Sequence, residues 1–252
     1  RSVFGVSLAA LDAAPSQAAS IIAGARQALD SLDDEAANGL PLIVDASEFL
    51  AKKIALPQEL VFGILHQGSK MVLGGGSKTF KTWTLLDLAV SVASGEPWLS
   101  FKTSKGRVLF LNFEIQDGFF QQRVEAVARE KCIRLTPGQI DFWNLRGYGA
   151  SYEIILPRIS DRVKDSGYVL IVLDPLYKLY GQTDENSAGA VAQLLNGIEA
   201  LTVNSGASVA FGAHYSKGNQ AAKESVDRIS GSGVFARDPD TILNFTRHEE
   251  LV

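Results

Sequence analysis

The chain has 252 residues, 46% hydrophobic and 21% charged, which are ordinary globular values, and its length suits one large α/β domain or one domain with a small appendage. A formal net charge of −4 excludes a global positive field that would draw the chain to nucleic acid, so any such contact must come from a local patch. The single cysteine, Cys132, excludes an internal disulfide and fits a cytoplasmic protein, and no apolar run approaches the about 18–20 residues of a membrane span.

The first stretch, "RSVFGVSLAALDAAP", is interrupted by Asp12 and has no basic cluster before it, so a secretory signal is not expected. The chain begins with Arg and stops just after a strand-like run, as a piece of a longer protein would. Residues 1–41 read as a small helical N-terminal extension. Within it, the Ala-rich segment from Pro15 to Gly39 has the spacing of one amphipathic helix. "DASEFLAKK" follows as a short helix with Asp45 or Ser47 as its N-cap.

Residues 42–252 read as the main domain. Its apolar runs are "KMVLGG" (70–75), "GRVLFLNFE" (106–114), "QIDFWNL" (139–145), "YVLIVLD" (168–174), "ASVAFGAH" (207–214) and "DTILNFTR" (240–247). They are short and flat in hydrophobicity, as strands covered on both faces are. Helical stretches separate most of them: "KTWTLLDLAVSVASG", stopped by Gly95 with Pro97 beyond, "DGFFQQRVEAVAREK" and "SAGAVAQLLNGIEALTVNSG". This alternation predicts a mainly parallel, twisted sheet with helices on both faces and right-handed crossovers.

The segment Gly75, Gly76, Ser77, Lys78, Thr79, Phe80, Lys81, Thr82 fits the phosphate-loop pattern G-x-x-x-x-G-K-[ST] at seven of eight positions, and these residues, with Trp83 after them, are the candidate ATP-binding residues. A strand precedes the loop and a helix follows it, which is the context the motif requires. Backbone N–H groups at the helix start would face the phosphates of ATP. Lys81 would reach the β- and γ-phosphates, and Thr82 would place its hydroxyl on Mg²⁺.

Phe80 stands where the pattern has its second glycine. A positive φ there costs a non-glycine residue about 1–2 kcal/mol and displaces the phosphate-holding amides; a negative φ costs nothing. Because Lys81 and Thr82 are both kept, the expectation is φ < 0 at Phe80, with a positive φ taken as the mark of a lost site.

Three strand ends carry further candidates. Asp174 closes "YVLIVLD" where a Walker B carboxylate holds Mg²⁺ through water. Glu114, at the end of "VLFLNFE", reads either as the general base for an attacking water or as a capping acid for the helix after Asp117. His214, at the end of "ASVAFGAH", reads either as a γ-phosphate sensor or as a structural histidine. His66 and His248 have no comparable setting.

Together these residues resemble the RecA-like core of the AAA_25, or RepA-like, ATPases, whose relatives include hexameric replicative helicases and primase-fused helicases. The resemblance spans about residues 42–247. It rests on "VLGGGSKTFKTWTLLDLAVSVASGEPWL", "GRVLFLNFE", "FWNLRG", "VLIVLDPLYKL" followed by "DENSAG", "GAHYSKG" and "SGSGVFARDPDTIL". It implies a RecA-like P-loop NTPase fold in which Lys81, Thr82 and Asp174 hold phosphate and Mg²⁺, Glu114 is the catalytic base and His214 the sensor. It adds Lys78 as a loop lysine. Arg237 or Arg228, with Arg247 behind them, are candidates for the arginine that completes a neighbour's site in a homo-hexamer.

Two loops lie where RecA-like motors touch single-stranded DNA: "GQTDENSAG", which is acidic, and "SKGNQAAKESVDRISGSG", which carries Lys217, Lys223 and Arg228. Both read equally as solvated connectors. No zinc or primase motif accompanies them. The leading expectation is therefore a Mg²⁺-dependent ATPase motor core of the helicase kind. The alternative is an ATP-dependent switch or assembly factor for a primase or recombination partner.

Overall fold

The computed structural model describes residues 22, 24, 41–148, 151–181, 187–214, 234–235 and 237–246. The chain separates into two compact units, residues 1–55 and 56–252. In the first unit Ile22 and Gly24 are helical, and helix α1, Ala46–Ala51, starts at an Asp45 N-cap whose carboxylate accepts from the Ser47 amide at 2.8 Å. Helix α1 has no buried residue. Its six residues are too few to hold a helix without the cap.

The second unit opens with a two-stranded antiparallel hairpin, β1 (Glu59–Val61) and β2 (Leu65–His66). The elements that follow are β3 (Lys70–Gly75), α2 (Lys81–Ser94), β4 (Arg107–Asn112), α3 (Asp117–Glu130), β5 (Ile140–Asn144), α4 (Tyr152–Val163), β6 (Tyr168–Asp174), a 3₁₀ turn (Leu176–Leu179), α5 (Ala188–Ser205), β7 (Ser208–His214) and β8 (Thr241–Phe245). Strands β3 to β8 form one sheet in the order β5-β4-β6-β7-β3-β8, every pair parallel. All six expected strands are present, shortened by a residue or two at several ends.

Alternate residues of each strand enter different cores, as a period of two requires. Ile171 and Leu173 of β6 pack with α4 and α5 on one face, while Leu170 and Val172 pack with α2 and α3 on the other. The result is the expected three-layer α/β sandwich of a RecA-like P-loop fold. The stops also behave as expected: Gly95 and Gly206 end α2 and α5 in the left-handed conformation at φ 83° and 67°.

Helix α4 has no counterpart in the sequence reading, because Pro157 lies inside it. An interior proline costs a helix roughly 3 kcal/mol. Burial of Tyr152, Ile155, Leu156, Ile159 and Val163, spaced for one helical face, outweighs that cost.

The sheet order sets the site. The phosphate-loop strand β3 is not hydrogen-bonded to β6, the strand that ends in Asp174; β7 lies between them. Because all the strands are parallel, Gly75, His214, Asp174 and Asn112 end at the same edge, the edge where ligands bind in open α/β sheets.

Candidate active site

All six residues of β3 are buried, and the chain turns from Gly75 through the loop into α2. Gly75 is required by close approach: a Cβ there would come within 2.5 Å of Thr79 Oγ1 and 3.4 Å of Phe245 Cβ. Thr79 Oγ1 donates to the Gly76 carbonyl at 2.9 Å, which ties the loop across itself.

Phe80 corrects the expectation for its backbone. Its φ is +63°, and Lys78, two residues before it, has φ +60°. Phe80 is the N-cap of α2, and the left-handed bend there carries the chain from loop into helix. A glycine makes that bend freely; Phe80 makes it at a cost of about 1–2 kcal/mol. The positive φ runs against the expectation, which took it as the mark of a lost site; it is a bend that a glycine makes freely, and Lys81, Thr82 and Asp174 still line one cleft with it. The ring is 71% exposed at the rim.

Lys81, the first residue of α2, is 8% exposed. Its Nζ donates to the carbonyls of Gly75 at 2.9 Å and Gly76 at 2.7 Å, and lies 3.3 Å from Nδ1 of His214. An ammonium has only hydrogens to offer, so the last contact is a hydrogen bond when Nδ1 carries the lone pair. Burial lowers the Lys81 pKa, against the opposing pull of the Asp174 and Glu114 carboxylates.

Asp174, 4% exposed, is pushed up to about 6, mainly by burial. The Glu114 charge raises it further. The Thr82 hydroxyl, donating to its carboxylate, and the charges of Lys81 and Arg123 pull the other way. Its neighbour on β7, Gly212, gives it room: a Cβ at Gly212 would stand 3.1 Å from Asp174 Oδ1 and 3.4 Å from Leu85 Cδ1.

Glu114 lies just past β4 and is exposed. The turn that carries it is shaped by Asn112, which is 1% exposed. Asn112 Oδ1 accepts from the amides of Ile115 at 2.9 Å and Glu114 at 3.3 Å, and its Nδ2 donates to the Ile115 carbonyl at 2.7 Å and to Asn144 Oδ1 at 3.1 Å. The N-cap of α3 is Gln116, which makes no side-chain cap bond, so Glu114 does not occupy the capping position.

These groups border one open cleft of about 550 Å³, lined by residues 77–83, Glu114, Ile115, Arg123, Asp174, Pro175 and His214. His214 also meets the Tyr177 ring, centroid to centroid at 5.9 Å.

The AAA_25 family, an AAA domain, matches residues 36–220 of this chain, well over half its length. The chain belongs to the AAA_25 family. None of the curated proteins matches it. AAA_25 membership and the parallel sheet together support an ATPase that binds nucleotide.

Of the other sequence candidates in this AAA_25 chain, Arg237 is exposed and is not among the cleft-lining residues. Lys217, Lys223, Arg228, Arg247 and His248 lie outside the described residues, as do 182–186 of the acidic loop. Three residues that sequence reading missed are Asn112, Gly212 and Arg123. A glycine inside an apolar strand, as in "VAFGAH", was a usable signal for close approach. Asn112 and Arg123 gave none, since their partners come from other elements.

Proposed function

We propose that this AAA_25 protein is a Mg²⁺-dependent ATPase whose hydrolysis drives a helicase-type motor on single-stranded nucleic acid, working in the cytoplasm as a homo-hexamer. The observation that carries the ATPase part is the convergence of Lys81, Thr82, Asp174, Glu114 and His214 on one cleft at the carboxyl edge of a parallel sheet.

Thr82 and Asp174 fit a hard divalent cation. A hydroxyl already donates to a buried carboxylate whose high pKa reports that no charge fully compensates it. Among the described residues no cluster of three or more His, Cys, Asp or Glu forms a complete protein cage. That suits Mg²⁺, which takes much of its coordination from phosphate and water. When bound, the ion would supply positive charge at the β- and γ-phosphate oxygens.

The chain's own groups divide the remaining work. Lys81 leaves the Gly75 and Gly76 carbonyls for the phosphates, offering a charge already stripped of most of its water. Glu114, held by the Asn112 turn, orients the attacking water and accepts its proton. His214, 3.3 Å from Lys81, registers loss of the γ-phosphate through that lysine and through Tyr177. An arginine from a neighbouring copy, Arg237 or Arg228, completes the charge. Lys217, Lys223 and Arg228 are the proposed contacts to nucleic acid.

Steady-state ATPase activity with and without single-stranded DNA tests this reading. Stimulation by DNA supports the motor. ATP hydrolysis indifferent to DNA supports instead an ATP-dependent switch for a primase or recombination partner, the reading that the net charge of −4 favours.

A further inference from the structure

Besides Phe80 at the rim, the cleft contains an aromatic face that the phosphate chemistry leaves unused. Trp83 follows Thr82 in the first turn of α2 and is half-buried, with its inner side packed against the core between the sheet and helices α2 and α3. The Arg123 guanidinium, from α3, stands 5.2 Å from the centre of the indole ring. Both residues border the same cleft as Lys81, Thr82, Asp174 and Glu114.

Resting on the nucleotide reading above, we propose that Trp83 and Arg123 form the shelf on which the nucleobase stacks, and that they make the site prefer purine to pyrimidine nucleotides. Three physical points lead there. The indole is held from behind by core packing, so stacking on it costs little ordering. A guanidinium is planar and stacks on π faces, so Arg123, which at 5.2 Å leaves no room for a base beneath it, moves outward and exchanges its contact with the indole for one with the base's far face. Stacking grows with the area of the π face, which favours the two-ring bases.

Other cation–π pairs in the fold serve as an internal contrast. Arg162 over Trp143 at 4.8 Å and Arg107 over Tyr168 at 4.6 Å do not border the cleft and act as braces between elements. If the Trp83–Arg123 pair were a brace of the same kind, its loss would not distinguish a base from a phosphate.

The test measures binding of ATP, CTP and inorganic tripolyphosphate, each with Mg²⁺, by calorimetry on the full chain, wild type against Trp83→Leu, Trp83→Phe and the brace control Trp143→Leu. Loss of one base–aromatic stack predicts ATP binding weaker by roughly tenfold or more in Trp83→Leu. Tripolyphosphate binding should be unchanged, Trp83→Phe should recover most of the loss, and Trp143→Leu should show none. The wild type should bind ATP several-fold more tightly than CTP, and Trp83→Leu should lose that preference.

Equal weakening of ATP and tripolyphosphate, or no weakening of either, overturns the shelf while leaving the nucleotide site intact. A wild type that binds neither ligand overturns the nucleotide reading itself. Should Trp83→Leu fail to fold, the wild-type comparison decides: equal affinity for ATP and CTP refutes the shelf, and Trp83→Phe with a wild-type ATP preference supports it.

Discussion

Replacing Asp174 by Asn should make the nucleotide-free protein more stable while ending its hydrolysis of ATP. The carboxyl is 4% exposed and its pKa is raised from 3.8 to about 6. Between those two values the native state holds a proton that the unfolded chain has released, so stability falls as pH rises through the window, and the full penalty is present above pH 6. A gap of about two pH units, at about 1.4 kcal/mol each, is on the order of 3 kcal/mol. Asn keeps the shape and the bond with Thr82 and has no charge to bury. The value of about 6 already includes the pull of the Lys81 ammonium, and burying the Asn amide has a cost of its own, so a net gain of about 1–3 kcal/mol is expected at pH 8. Urea unfolding at pH 8 and pH 4.5, without nucleotide, measures it. The variant should be the more stable protein at pH 8, and the difference should shrink to about a third of that at pH 4.5, where the native carboxyl is protonated while the unfolded one is still mostly ionised. A variant less stable than wild type at pH 8, or a difference that does not change with pH, would refute the account of Asp174 as an uncompensated buried charge.

Phe80→Gly restores the motif glycine and removes a left-handed phenylalanine whose ring buries little; strain relief less the added chain entropy leaves a gain of up to about 1 kcal/mol in urea unfolding. A clear loss of stability would mean that the ring contributes packing in the folded protein. Glu114→Gln should bind ATP with near wild-type affinity and hydrolyse it at least about 100-fold more slowly; unchanged turnover removes Glu114 from the mechanism. Asn112→Ala leaves part-buried backbone groups of the Glu114 turn without partners, so a cost of about 1–2 kcal/mol and a fall in kcat larger than any change in KM are expected. Gly212→Ala drives a methyl towards Asp174 Oδ1, and should lower Mg²⁺-dependent turnover several-fold while the far-ultraviolet circular dichroism stays that of wild type.

Much of the fold was legible because the strands carry their own signal. "YVLIVLD" is a strand over all seven of its residues, and a run buried on both faces needs little else to be recognised. Gly95 and Gly206 marked helix ends for the same local reason. What failed were cases where distant packing overruled a local preference. Pro157 hid α4, because its cost is local while the burial of Ile155, Leu156 and Ile159 depends on the sheet and α5. Phe80 was assigned the cheaper φ, because the bend into α2 is imposed by where β3 and the helix must lie. The site followed the same division. Lys81, Thr82, Glu114, Asp174 and His214 each sit at a recognisable strand end or loop. The Asn112 turn, the gap over Gly212 and the Arg123–Trp83 contact arise only when separate elements meet. Strand order, which puts β7 between the phosphate loop and Asp174, is likewise a property of the folded sheet.

The cleft around Lys81 is proposed to bind ATP for hydrolysis. The most direct test is Mg²⁺-dependent ATP hydrolysis by purified wild-type protein and by Lys81→Ala, with ATP affinity measured alongside by calorimetry. The wild type should hydrolyse ATP, and Lys81→Ala should lose binding or turnover by about 100-fold or more while keeping its fold. Hydrolysis by Lys81→Ala at the wild-type rate would contradict it.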